Sequence, residues 1–111
     1  METDKSVDEM LSDFNKLEAF YIIPFFKKEF GVVDSACFLY QAIDQGVDIY
    51  AYLVNGKHVI EFDLSKIDNT IVKNEIISVD DYMKTIQGKG KAKKNARDVL
   101  KNAIDNPSII N

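Results

Sequence analysis

The sequence predicts an α+β fold: an antiparallel three- to four-stranded sheet packed on helices, an α-β-β-β-α core behind an N-terminal helical extension. Three observations carry this prediction. Apolar residues recur at spacings of three and four near both ends of the chain. Between Val47 and Leu64 they alternate with period two. Asn55-Gly56 interrupts that alternation, and both residues accept the positive φ angles of a tight hairpin turn.

Residues 1–33 form the extension. Residues 1–6 are polar, and Val7, Met10, Leu11, Phe14, Leu17 and Tyr21 then mark one helical stripe. Ser6 with Glu9 makes a capping-box arrangement at its start. Pro24 is expected to end or kink this helix near Ile23, because it lacks an N–H and crowds the preceding turn. The run AFYIIPFF gathers Phe20, Tyr21, Ile22, Phe25 and Phe26. It reads as core, or as a surface for self-association or a protein partner, since a small domain has little room to bury all of it.

Residues 34–111 form the second unit. DSACFLYQAIDQG reads as a short helix, with Ser35 as N-cap, a stripe of Ala36, Leu39, Tyr40 and Ile43, and Gly46 as C-cap; a strand is the alternative. Ile49, Ala51 and Leu53 then alternate with Tyr50, Tyr52 and Val54. On the return, Val59, Glu61 and Asp63 alternate with His58, Ile60 and Phe62. TIVKNEIISV reads as a further strand, Asp80-Asp81 as a turn and YMKTIQ as a short strand. GKGKA breaks the sheet, and a last helix runs to Asn106-Pro107.

Composition narrows the function classes. The 111 residues are one domain by size, and 46% hydrophobic with 29% charged residues is ordinary for a folded protein. No apolar run is long enough to cross a bilayer, so no membrane partner is expected. METDKSVDEMLSD is acidic and lacks the order of a signal peptide, which places the expected location inside the cell, in cytoplasm or nucleus. One Cys and one His cannot supply a structural zinc site of about four ligands. Cys37 reads as a small buried hydrophobe. No cofactor is implied.

The net charge of −4 hides an asymmetry. Residues 1–83 carry 7 basic against 16 acidic side chains, and residues 84–111 carry 7 against 2. The last helix concentrates the excess. Ala92, Ala96, Val99, Leu100, Ala103 and Ile104 form its apolar stripe, with Lys94, Arg97 and Lys101 within ~60° of one another on the other side at ~100° per residue. Lys91, Lys93 and Lys94 crowd its start, where the helix dipole is already positive. An anionic partner would offset that cost, and a phosphate backbone fits it: free N–H groups, dipole and lysines would all face the anion. A merely solvated helix is the alternative.

The segment Gly88, Gly90, Ala92, Lys93, Lys94, Ala96, Arg97, Val99, Leu100, Ala103 and Ile104 resembles the closing signature of the double-stranded RNA-binding domain family, with Ala92 in the position the family gives to serine. The likeness extends over residues 34–105, with SACFLYQAIDQ as the first helix and NGKH similar to the family's Gly-x-x-His loop. The stretch between that loop and the basic helix is longer than in the family, which implies an inserted hairpin or another strand register. The arrangement looks more like divergent members, such as those attached to fungal-type ribonuclease III enzymes. The resemblance implies a non-catalytic binder that reads A-form shape across two minor grooves and the intervening phosphates. Lys93, Lys94 and Arg97 would clamp those phosphates with help from Lys91 and Lys101. Gln41 and Gln45 would face one minor groove, and the turn bearing Asn55, Lys57 and His58 the other. The catalytic stretch of ribonuclease III itself is absent.

Two other readings stand beside this one. An acidic interaction module, such as a toxin- or enzyme-neutralising inhibitor or a degenerate RNA-binding domain used for dimerisation, suits the negative charge of residues 1–83. Asp48, Glu61 and Asp63 are similar to the metal-binding core of restriction-type nucleases, with Asp63 where that core carries lysine.

Overall fold

The computed structural model describes residues 7–110. Ser6 and the rest of residues 1–6 lie outside the described residues, so the capping box is not part of the structure described. The chain divides into two compact units at Gly31/Val32.

The first unit is helical. Helix α1 spans Val7–Leu17, a π-helical turn spans Glu18–Ile22, and helix α2 spans Ile23–Phe30. The regular α-helical pattern is interrupted just before Pro24, where the sequence suggested an end or a kink, but the chain stays helical. Pro24 lies in the first turn of α2, and the widened turn before it takes up the misfit, with Ile23 N–H donating to Glu18 O five residues back. Gly31 closes α2 at φ 78°, its N–H donating to Lys27 O at 2.9 Å. The aromatic run divides: Ile22 and Phe26 are buried, whereas Phe20 is 70% and Tyr21 45% exposed. The Phe26 ring lies edge-on to Phe30, with centroids 6.4 Å apart.

The second unit is a four-stranded antiparallel meander followed by two helices. Strands β1 (Ala36–Asp44), β2 (Val47–Val54), β3 (His58–Ser65) and β4 (Ile71–Ser78) neighbour one another in chain order, and α3 (Val79–Thr85) and α4 (Lys91–Asp105) complete the unit. The α+β class and the antiparallel sheet are as the sequence predicted. The β2–β3 turn is too: Asn55 and Gly56 adopt φ 57° and 67°, and Lys57 N–H donates to Val54 O at 3.1 Å.

Two segments differ from their sequence reading. SACFLYQAID is strand β1, not a helix. The register slips between Phe38 and Tyr40, so Leu39 is bulged and two successive apolar residues share a face. The remaining members of the expected stripe, Ala36 and Ile43, lie on the opposite face. YMKTIQ is not a strand, and Asp80-Asp81 is not a free turn. Ser78 caps α3, its hydroxyl accepting from Asp81 N–H at 3.1 Å, and both aspartates stand in the first helical turn, where the dipole favours them.

The alternation of β2 and β3 gives the sheet two faces. One is helix-bearing: Cys37, Leu39, Ala51, Leu53 and Val59 pack with Tyr82, Ile86, Leu100 and Ala103. The other is aromatic: Tyr52 and Phe62 are fully buried, Phe62 stacks on Tyr50 and Tyr52 at 5.7 and 6.0 Å, and Phe38 meets Tyr52 edge-on at 5.7 Å. Cys37 is buried as expected. Its sulfur accepts from Ser108 N–H at 3.2 Å and lies 3.7 Å from Ala103 O. The residues after α4 return to the sheet edge, where Ala36 N–H donates to Ser108 O and Ile110 N–H to Asp34 O.

Candidate nucleic-acid interface

The connection from α3 to α4 is built by two glycines and one arginine. Gly88 and Gly90 adopt φ 112° and 111°, a region that L side chains rarely adopt. Arg97, one and a half turns into α4, reaches back with Nη1 and donates to Ile86 O at 2.7 Å and Gly88 O at 2.9 Å. It therefore ties the Gly88–Gly90 lead-in to the helix. The resemblance gave Arg97 to phosphate, but here its fork is engaged with backbone carbonyls.

Lys84, Lys89, Lys91, Lys93, Lys94 and Lys101 are all exposed. Lys84 pairs with Asp81 at 3.7 Å and Lys94 with Asp98 at 3.0 Å. Among the described residues, Lys89, Lys91, Lys93 and Lys101 make no ion pair. Gly90 offers α4 no side-chain cap and the first turn holds no acid, so its free N–H groups and three of these lysines share one end of the helix. Lys93 folds toward the lead-in: a Cβ on Gly88 would lie 3.7 Å from its Nζ. Lys84 and Lys89 were not singled out from sequence. Lys89 stands between the two glycines, and that position was the available signal.

The apolar stripe of α4 is narrower than its spacing suggested. Leu100 and Ala103 are buried and Ala96 half-buried, whereas Ala92 is exposed and Val99 and Ile104 are 41% and 46% exposed. The helix packs against β1, and its Leu100 and Ala103 join the core that includes Leu53 and Val59.

The other sequence candidates do not join this cluster. Gln41 stands on the aromatic face of β1 opposite Tyr50, with its Nε2 3.4 Å from the Tyr50 hydroxyl. Gln45 is in the β1–β2 turn, at the end of the sheet away from the Asn55–His58 turn. With β1 in place of a helix, no helical face presents the two glutamines together. Asn55 is engaged internally: its Oδ1 accepts from Asp34 N–H at 2.7 Å and its Nδ2 donates to Val32 O at 2.8 Å. Lys57 and His58 are exposed at that same turn. Cys37, at the turn end of β1, meets Ala103 near the end of α4, so the basic start of the helix is directed away from that turn.

The carboxylates named for a nuclease core are also divided. Asp48 shares the aromatic face and pairs with Lys66 at 3.3 Å, whereas Glu61 and Asp63 occupy the helix-bearing face. Among the described residues no three His, Cys, Asp or Glu side chains are grouped to hold a metal ion. Asp63 accepts from Asn74 Nδ2, and Glu61 accepts from the Tyr40 hydroxyl at 2.7 Å. Burial first, and then the Glu61 hydrogen bond and charge, push the Tyr40 hydroxyl well above the usual tyrosine range. Among the described residues, no helix is long and apolar enough to cross a membrane. The chain matches no protein-family model, no curated protein and no solved structure.

Proposed function

We propose that the protein binds double-stranded RNA through its phosphates, with segment Lys84–Lys101 as the contact surface and without catalysis. One observation supports the reading above others: unpaired Lys89, Lys91 and Lys93 surround an uncapped helix start on a glycine lead-in held by Arg97. Lysines there are unfavourable for the helix alone and favourable once an anion arrives. Lys93, Lys94, Lys91 and Lys101 contact phosphate, and Arg97 positions the loop. The minor-groove roles of Gln41, Gln45 and His58 are not carried forward, since no shared surface presents them with α4.

The test is fluorescence anisotropy with a labelled RNA duplex, the same DNA duplex and single-stranded RNA at two salt concentrations. Duplex RNA should bind tightest. Replacing Lys93 and Lys94 with Ala should weaken binding and flatten the log–log salt slope by roughly 0.9 per lost phosphate contact, on the B-DNA scale. A double variant that binds as tightly as the parent overturns the assignment of this helix. A second reading rests on the exposed rings of Phe20 and Tyr21, which suit a protein partner or self-association. Absence of nucleic-acid binding, with a mass in sedimentation that falls on Phe20→Ser, would favour it.

A further inference from the structure

The helix-bearing face of the sheet holds a cleft of about 150 Å³ between β3, β4 and α3. Tyr40, Tyr82, Val59, Ile77, Glu61 and Glu75 line it. Glu61 and Glu75 are directly opposite one another across β3–β4, on the same face. Like charges so placed destabilise a strand pair. Among the described residues, neither carboxylate has a cationic partner, and Glu61 is held in place by the Tyr40 hydroxyl. Tyr82 is only 8% exposed, and its hydroxyl, which makes no hydrogen bond among the described residues, is not sealed from solvent. The cleft thus offers a cation three acceptors, the two carboxylates and the Tyr82 oxygen, beside the hydroxyls of Tyr40 and Thr85, which already donate to Glu61 and to Tyr82 O.

A larger, more apolar recess of about 490 Å³ adjoins it and shares Tyr40 and Tyr82. Leu39, Ala92, Ala96 and Val99 extend this recess along the open flank of α4. Here the exposure of Ala92 and Val99 has a use: they form one wall of the recess. Lys93 also lines the recess and is absent from the smaller cleft.

We propose that this paired cleft binds a primary alkylammonium ion. The head group lies among Glu61, Glu75 and the Tyr82 hydroxyl, and the alkyl chain runs along the recess. A primary ammonium has three N–H donors, which matches the three acceptors in number and charge. The tyrosine rings add a favourable wall for a cation. Lys93 in the recess repels a second positive charge, so a monoamine is favoured over a diamine. This inference is independent of the RNA-binding reading.

The experiment is a titration of the full chain with n-hexylamine at neutral pH, followed by amide NMR shifts and calorimetry. Hexanol, hexanoate, hexyltrimethylammonium and 1,6-diaminohexane are titrated in parallel, and Nα-acetyl-lysine methylamide stands for a lysine side chain of another protein. Hexylamine should shift the amides around Glu61, Glu75, Tyr82 and Ala96, and bind about tenfold or more tightly than hexanol. The trimethylated and diamine probes should bind more weakly than hexylamine. Glu75→Gln should lower hexylamine affinity about tenfold while the free variant is at least as resistant to urea as the parent, because the like-charge pair is relieved. A purely structural role for Glu75 would instead lower resistance to urea. Tyr82→Phe gives a second, isosteric check, with a loss of several-fold. Tighter binding of the lysine derivative than of hexylamine would assign the cleft to a protein lysine, and the reverse to a free amine; both support the site. Equal affinity for hexanol and hexylamine, shifts confined to other residues, or unchanged affinity in Glu75→Gln overturns it.

Discussion

Replacing Arg97 separates two accounts of the basic helix. If Arg97 is a strut, Arg97→Ala removes one charged donor from two carbonyls, Ile86 O at 2.7 Å and Gly88 O at 2.9 Å. A hydrogen bond from a charged donor contributes about 1.5–3 kcal/mol. Here one Nη1 serves both acceptors, the side chain is half-exposed, and water can reach the Gly88 carbonyl. The expected loss is therefore at the low end, about 1–2 kcal/mol in total. For a unit of this size each kcal/mol lowers the thermal midpoint by roughly 4–8 °C. Urea unfolding followed by circular dichroism measures it directly. Arg97→Lys sharpens the result, since it keeps the charge and loses the fork. A strut predicts that lysine recovers little of the stability. A phosphate contact predicts parental stability in both variants, with a flattened salt slope of RNA binding in Arg97→Ala alone. That second pattern would refute the positioning role derived from the structure.

Two other outcomes test the fold. Asn55→Gly keeps the positive φ of the turn and removes the side-chain bonds to Asp34 and Val32, for an expected loss of about 1–3 kcal/mol at roughly 0.5–1.5 per bond. Asn55→Ala should cost roughly 1 kcal/mol more, because alanine pays for the left-handed backbone as well; equal urea midpoints for the two variants would contradict this. Stability should also fall in alkali. The hydroxyls of Tyr40, Tyr50 and Tyr82 are all raised above the ordinary tyrosine value, chiefly by burial, with Glu61 adding at Tyr40 and Asp48 at Tyr50. The unfolded chain then releases these protons first, so the stabilisation is whole below about pH 10 and is lost as pH rises beyond it. Urea midpoints across pH 8–11 should be level at first and then drop, less steeply in Tyr40→Phe.

The sequence was most legible where local chemistry and tertiary structure agree. Asn55-Gly56 needed only its own backbone preferences, and the alternation on either side of it passed unchanged into two faces. It was least legible where one residue shifts a register. Ala36, Leu39, Tyr40 and Ile43 have helical spacing, yet the strand divides them: the bulge puts Leu39 and Tyr40 together on one face, and Ala36 and Ile43 lie on the other. Nothing within ten residues distinguishes that from a helix; the pairing with β2 decides it. The π-turn before Pro24 is of the same kind, since a ring without an N–H demands a local change but does not say which. The internal role of Arg97 was hidden for a different reason. Its charge is visible in the sequence, but the two carbonyls that hold it come from a loop whose path depends on Gly88 and Gly90.

The change of β1 from helix to strand weakens the likeness to a known RNA-binding fold more than it weakens the case for phosphate contact. A minor-groove reading needs several surfaces at fixed spacing, and the strand puts Gln41 on a sheet face beside Tyr50. Phosphate contact needs only unpaired cations on a rigid element with open N–H groups, and α4 supplies these whatever precedes it. The acidic residues do not cancel it. The lysines of α4 and the carboxylates of the sheet stand on different elements, and charges beyond ~10 Å are largely screened at 0.1 M salt. What the carboxylates do is restrict direction. A duplex laid across the open sheet would set its phosphates against Glu61, Asp63 and Glu75, whereas one approaching the outer side of α4 meets Lys91, Lys94 and Lys101 first. The charge split read in the sequence thus has a counterpart in the structure: exposed lysines lie along α4, and Glu61, Asp63 and Glu75 share the helix-bearing face of the sheet.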